Sequence, residues 1–490
     1  MDVLVGYTGF VGVNLIQYMK RNTIFINSGN TDAFLHKEYD TVYYCGVYAE
    51  KWKANKYPED DTMHINKIID NLSTIRCNKF VLVSTVDVLD CTVTQNEQTV
   101  APTYSTHTYG VNRRRLEEWC MNQFKECYVF RLPALFGYGL KKNALYDMIQ
   151  CNNIDKLCSQ WKFQWYNVGW LYNDIHQFIS EDKSKIVHLI TPQITLGCIQ
   201  KLFFSKHTLP EVGPIVNYDL QSIYYTQKKQ EDIFVSMKEY IETVQKDKKQ
   251  LMVSELAWNN SINAVMTSWL KSRGISNIEA VPSKLGWNMD IYPYIYSAQS
   301  ILYNIQIQIF KEQELFLEIL EDKLKLLHSK GTHLIVFGSP SQRIFNGEDI
   351  NGLFSKIGDL CEKYNIVFCL ENNSSLYGCN WMTTARETLE FVKSLNHSHV
   401  KVNLDTGSML MENERLTLAN EDIPYIGHVQ VSFPRLGAWD KSYEELIEQV
   451  IRDLYMYNYT GKISLEMKAS EELPCSSIQS FIQFMHRIYI

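Results

Sequence analysis

The sequence predicts an α/β chain of two domains, a doubly wound parallel sheet followed by a (β/α)8 barrel. Three observations predict it. A glycine-spaced turn, "LVGYTGFVGVNL", joins the first strand-like run to the first helix-like one. Short β-rich runs then alternate with helical stretches through the first half. A second alternating series in the other half supplies eight candidate strands, the number a closed barrel needs. The length of 490 residues suits this pairing, since a barrel alone takes about 250.

The runs come in order. "DVLVGY" reads as a strand and "GVNLIQYMKR" as a helix after the glycine turn; "TIFIN", "TVYYCG" and "KFVLVST" are strands bounded by turn residues. The pattern fades after "VGPIVNYDLQSIYY". The charged stretch 226–250, without Gly or Pro, reads as a linker helix or the closing helix of the first domain. This sets domains at 1–225 and 251–490. The barrel strands are expected in "LMVSELAW", "NIEAVPSK", "SILYNIQI", "HLIVFGSP", "IVFCLEN", "VKVNLD", "HVQVSF" and "KISLEM".

Bulk properties exclude several functions. A net charge of −7 argues against a nucleic-acid partner, which calls for clustered Lys and Arg. The basic runs "QKKQ" and "KDKKQ" are short and read as solvated linker. Twelve scattered cysteines without a C-x-x-C pair fit free thiols in a reducing compartment. No apolar run approaches the ~18 residues of a membrane helix. The expected setting is cytoplasmic, with no membrane partner; a homo-oligomer is left open.

In the first half, Gly6, Gly9 and Gly12 lie between a strand and a helix. That spacing lets the backbone approach a pyrophosphate while the helix N-terminus offers N–H donors to it. The second strand ends "FINSGN", where an acid would grip the adenosine ribose and an arginine a 2′-phosphate. Asn27 is neutral, so NAD and NADP both stay open, with a lean to NAD.

About residues 1–225 resemble the extended short-chain dehydrogenase/reductase family of nucleotide-sugar epimerases and dehydratases. The resemblance rests on "GYTGFVG", "YYCGVYAE", "VSTVDVL", "YGVNR" and "FRLPALFGYG" in that order. It implies a Rossmann-type domain and a catalytic set at Thr85, Tyr109 and Arg113. It places cofactor contacts at Gly6, Gly9, Phe10, Val11, Gly12, Asn27, Gly46, Tyr109, Arg113 and Pro133. Two positions depart from the family. Arg113 stands where a lysine is usual, and Leu89 where a tyrosine is. Tyrosine at about 10 is a poor base at neutral pH. A cation four residues on shares its helix face and favours the phenolate. Arginine keeps that charge but loses the compact ammonium. The expectation is a live site with altered geometry, against nucleotide binding without turnover or a structural relic.

In the second half, chemistry belongs at the carboxyl ends of the strands. Those ends carry Glu371, Asp405, Gln430 and Glu466. Four oxygen-bearing side chains from successive strands can surround one Mg²⁺ or Mn²⁺. Lys468 shares a strand face with Glu466 by the period of two, and could bind a phosphate or carboxylate. His428 reads as a core histidine or a residue beside the metal set. Arg343 is offered for an anionic substrate, and Glu255 and Glu279 as pocket residues.

About residues 250–490 resemble the sugar phosphate isomerase/epimerase superfamily of xylose-isomerase-like TIM barrels. The matching stretches are "IEAVPSK", "VFGSP", "LENN", "LDTGS", "HVQVS" and "SLEMK". The usual metal set is Glu, Asp, His and Glu; Gln430 takes the third place here, as in the hydroxypyruvate-isomerase branch. Ser408 stands where many relatives have a substrate-holding histidine. The resemblance implies proton transfer beside a metal-polarised carbonyl, with Glu371 and Glu466 exchanging the proton.

The leading expectation is therefore a two-domain enzyme acting on a sugar or nucleotide sugar, redox or epimerising in the first domain and isomerising or epimerising in the barrel. A redox-inactive nucleotide-binding domain that regulates or scaffolds the barrel is the alternative. A metal-dependent phosphodiesterase is the third, disfavoured by the missing histidines and the negative charge.

Overall fold

A computed structural model describes residues 1–226, 228–246, 248 and 250–488. The basic runs and the 226–250 linker fall partly on Gln227, Asp247 and Lys249, outside the described residues. The chain divides into two compact units, Met1–Lys246 with Lys271–Arg273, and Asp247–Leu270 with Gly274–Ile490.

The first unit is a Rossmann-type doubly wound sheet. Its strands are β1 (Val3–Val5), β2 (Ile24–Ile26), β3 (Glu38–Tyr44), β4 (Arg76–Thr85) and β5 (Cys127–Leu132). A small second sheet interposes β6 (Ala134–Phe136) and β7 (Lys162–Asn167) before β8 (Ile186–His188), and β9 (Gln193–Thr195) follows. The main sheet runs β2-β1-β3-β4-β5-β8, every pair parallel. All of β1 and β5 is buried, as a sheet covered on both faces requires. One core layer joins Val3, Val42, Phe80 and Val129 to Ile65, Ile68 and Leu72 of helix Pro58–Ser73. Strand order reverses at β1, which makes the carboxyl ends of β1 and β3 the ligand-binding crevice of such sheets.

The helix in the expected linker is Gln230–Gln245. It buries Ile233, Met237, Tyr240 and Ile241 against Phe136, Trp165 and Leu196. That apolar face makes it a packed helix of the first unit rather than a solvated spacer.

The second unit is a closed parallel (β/α)8 barrel. Its strands are β10 (Leu251–Ser254), β11 (Asn277–Ala280), β12 (Ser297–Ala298), β13 (Leu334–Phe337), β14 (Val367–Glu371), β15 (Val400–Asp405), β16 (Ile426–Val431) and β17 (Lys462–Leu465), with β17 pairing back to β10. Six of these fall inside the expected runs, and β16 begins two residues before "HVQVSF"; the third strand misses its run altogether. "SILYNIQI" starts at Ser300, after β12 has ended. Ser300 and Asn304 hold left-handed φ of 56° and 61°, which breaks any strand there. The run is apolar because Ile301 and Leu302 are buried in a turn.

Candidate functional sites

In the first unit, the glycine turn joins β1 to helix Phe10–Leu15. Gly6 has φ +84°, and a Cβ there would stand 2.6 Å from the Cys45 carbonyl oxygen. A Cβ on Gly12 would overlap the Gly6 carbonyl oxygen. The helix begins at Gly9 with no side chain capping it, which leaves its first N–H groups without an internal partner. A cradle with no room for a Cβ at Gly6 or Gly12, with helix N–H groups at the switch point, fits a pyrophosphate. Phe10 and Val11 are partly buried at the helix start, and Gly46 and Pro133 follow the ends of β3 and β5. The Asn27 amide, past β2, donates to the Tyr7 hydroxyl at 2.9 Å and accepts from the Gly29 N–H at 2.8 Å.

Thr85 ends β4, and its hydroxyl accepts from the Asp87 N–H at 3.1 Å. Tyr109 lies in helix Thr108–Gln123, capped by His107, whose Nδ1 accepts from the Gly110 N–H at 3.0 Å. Thr85 and Tyr109 are brought together, close enough for the Thr85 side chain to act on the Tyr109 phenol. Burial nevertheless pushes the Tyr109 phenol up to about 12, against the pull of the Arg113 charge and of Thr85.

Arg113 stacks on Tyr109. Its guanidinium lies 4.0 Å from the centroid of the Tyr109 ring, over the ring face. Nη1 donates to Asp61 Oδ2 at 2.5 Å, and Nη2 to the Tyr48 carbonyl at 2.7 Å. Both partners of the ion pair are buried, so the charge is neutralised where it sits. Arg114 turns away to Glu118 and Tyr104. Leu89 is buried in a small cluster with Val86 and Ile190. Sequence reading missed Asp61, which sits on another helix with nothing in the intervening sequence to link it to Arg113. It also missed Asp87, which receives the Lys51 ammonium at 2.7 Å and the Tyr218 hydroxyl at 3.0 Å.

In the barrel, Glu371 and Asp405 are the last residues of β14 and β15, Gln430 is the last but one of β16, and Glu466 follows β17 directly. Asp405 and Gln430 stand opposite each other in register. Asp405 accepts from the Ser408 N–H at 2.6 Å and the Ser432 hydroxyl at 2.7 Å. Glu371 accepts from the amides of Asn373 and Asn403. Burial, then the Asp405 charge, pushes the Glu371 carboxyl up to about 8. Burial also raises Asp405, and raises Glu466 well above the carboxylate range, with Glu371, Asp405 and Glu279 repelling its charge. Buried and half-buried carboxylates that oppose one another's ionisation, beside a neutral amide, are a hard-oxygen donor set that a divalent cation fits.

The remaining candidates differ in how they meet this cluster. Arg343 is fully buried; it donates to the Glu371 carbonyl at 3.0 Å and to Asn373 at 2.7 Å. It clamps the loop after β14 rather than offering its charge to a ligand. Lys468 is exposed and lies beyond the end of β17, so strand alternation does not fix its direction. His428 is fully buried, with Nε2 2.6 Å from Glu279 Oε2. Glu255 is held by Asn263, Tyr292 and the Val281 N–H. Asn403 and Gln299 were missed. Asn403 sits two residues before Asp405 on the same strand face, so alternation could have found it. A separate trio, Asp359, Glu362 and His397, clusters on the barrel exterior, largely exposed.

Residues 292–483 match the family model of xylose isomerase-like TIM barrels. Solved structures similar to this chain include 3-keto-D-glucoside 4-epimerase from E. coli, at 17% identity and TM-score 0.36, covering 49% of this chain and 99% of that one. UDP-glucuronic acid 4-epimerase from Bacillus cereus, in complex with UDP-glucuronic acid and NAD, is similar at 14% identity and TM-score 0.37, covering 50% and 100%. A dTDP-4-dehydrorhamnose reductase from Clostridium acetobutylicum is similar at 14% and 0.39, with the same coverage. No curated protein sequence matches the chain. Among the described residues, no helix is long and apolar enough to cross a membrane.

Proposed function

We propose that the barrel is a divalent-metal-assisted isomerase or epimerase of a keto sugar, and that the first unit binds NAD or NADP and acts in redox or epimerisation of a sugar or nucleotide sugar. The observation that carries the barrel reading is the crowding of Glu371, Asp405 and Glu466 at one mouth of the barrel, Asp405 and Glu466 buried and Glu371 half-buried. Bound Mg²⁺ or Mn²⁺ would polarise a carbonyl and a neighbouring hydroxyl. Glu371, Asp405, Gln430 and Glu466 would hold it. Asp405, fixed by Ser408 and Ser432, orients. Glu466 and Glu371 take and return the proton on the carbon beside the carbonyl.

In the first unit, the glycine cradle would hold the pyrophosphate and Thr85 would orient Tyr109. A second reading, nucleotide bound without turnover, is favoured by the Arg113 geometry, because Asp61 and the Tyr48 carbonyl occupy the guanidinium. Hydride exchange with a panel of keto sugars at pH 7 and pH 10 separates the two.

Native mass spectrometry of the full chain tests both sites. One retained dinucleotide and one Mg²⁺ or Mn²⁺ are expected. The activities are expected to separate: Tyr109→Phe abolishes redox turnover alone, and Glu466→Gln abolishes only proton exchange at the barrel, read as deuterium uptake from solvent. Loss of both activities in either variant would overturn the two-site reading.

A further inference from the structure

We infer that Glu279 is a positioning residue, which sets the amide of Gln430 so that its oxygen rather than its NH₂ group is presented to the cation. The inference rests on the metal-assisted reading above and adds a residue to it. An amide has two unlike ends, and only the oxygen ligates a hard cation. A neutral glutamine in the ligand set therefore needs something to choose its face.

The barrel interior makes that choice at both ends of the side chain. Gln430 Nε2 donates to Glu279 Oε1 at 2.8 Å. Gln430 Oε1 accepts from Asn403 Nδ2 at 2.6 Å, and the same NH₂ group donates to Glu371 Oε2 at 3.2 Å. The oxygen thus lies on the Glu371 side, with one lone pair still free. Turning the amide over would set its oxygen against the Glu279 carboxylate and its NH₂ against that of Asn403, two like-with-like contacts at fully buried residues.

Glu279 is itself held. Oε1 also accepts from Gln299 Nε2 at 2.6 Å, and Oε2 pairs with His428 Nε2 at 2.6 Å. With both oxygens engaged, it serves as an anchor rather than as a further ligand. Barrel interiors are ordinarily layers of Val, Ile and Leu. Well-packed apolar residues would serve stability at least as well as a buried ionic layer, so stability alone does not account for Glu279.

The test is Mn²⁺ affinity of the full chain, by calorimetry or by the electron paramagnetic resonance of free Mn²⁺. Glu279→Gln is compared in the native background and in a Gln430→His background, where the ligand has no amide to turn. Glu279→Gln is expected to weaken Mn²⁺ binding ~10–100-fold in the native background. In the Gln430→His background the change is expected to stay within about threefold. Glu279→Asp keeps the charge but withdraws it from Gln430; the same pattern is expected, and this variant carries the test if Glu279→Gln does not fold. Equal weakening in both backgrounds, or none in the native one, overturns the inference and leaves the metal reading standing. A native chain that takes up no Mn²⁺ overturns both.

Discussion

Arg113 keeps a positive charge beside Tyr109, yet a buried carboxylate absorbs it. The glycine cradle was legible in the sequence, because each glycine answers a local steric demand. The fate of the guanidinium was not, because Asp61 comes from another helix and no periodicity links the two. The pair is expected to matter more for stability than for catalysis. Arg113→Ala leaves Asp61 buried with only the Asn112 amide as a strong partner. A loss of about 3–5 kcal/mol is expected in chemical unfolding of the first unit, followed by circular dichroism. The phenol carries its own signature. With Tyr109 at about 12, any redox turnover that uses its phenolate should climb about tenfold per pH unit from pH 7 to 10. A flat profile would assign the base to another group.

Elements were read well where a strand end carries its own chemistry, and poorly where an apolar run had no partner to test it against. β14, β15 and β16 were found with their acids and amide because alternation and apolar core agree on each. "SILYNIQI" looked equally good, but short apolar runs do not separate strands from buried turns. The missing third strand also hid Gln299, which follows Ala298 directly and reaches Glu279. The β1–helix junction gives a test at this scale. Gly12→Ala forces its new methyl into the Gly6 carbonyl and must lever helix Phe10–Leu15 off the turn. Gly9→Ala is milder, since its Cβ would stand 3.3 Å from the same oxygen. The expected result is a cost of about 1–3 kcal/mol for Gly12→Ala. NADH affinity, followed by fluorescence titration, should fall clearly further than for Gly9→Ala.

The two-unit division was visible in the sequence as two alternating series separated by a charged stretch. The charge balance of the second unit was not, since burial and mutual repulsion are properties of the closed barrel. That balance predicts how stability depends on pH. Burial and the Asp405 charge push the Glu371 carboxyl up to about 8, against 4.5 for an ordinary glutamate. Between those values the native state holds a proton that the unfolded chain has released. Native stability must therefore fall as pH rises through this window, and Asp405 and Glu466, also shifted upward, act with the same sign. Each group contributes a slope of at most about 1.4 kcal/mol per pH unit. A bound divalent cation displaces those protons and offsets the repulsion, so its stabilisation grows as pH rises. Thermal unfolding of the full chain from pH 5 to 8 should show the barrel transition dropping in EDTA and holding level or rising in saturating Mn²⁺. A midpoint in EDTA that rises with pH would mean that these carboxylates are ionised at no cost, and the crowded cluster would lose its claim to a cation.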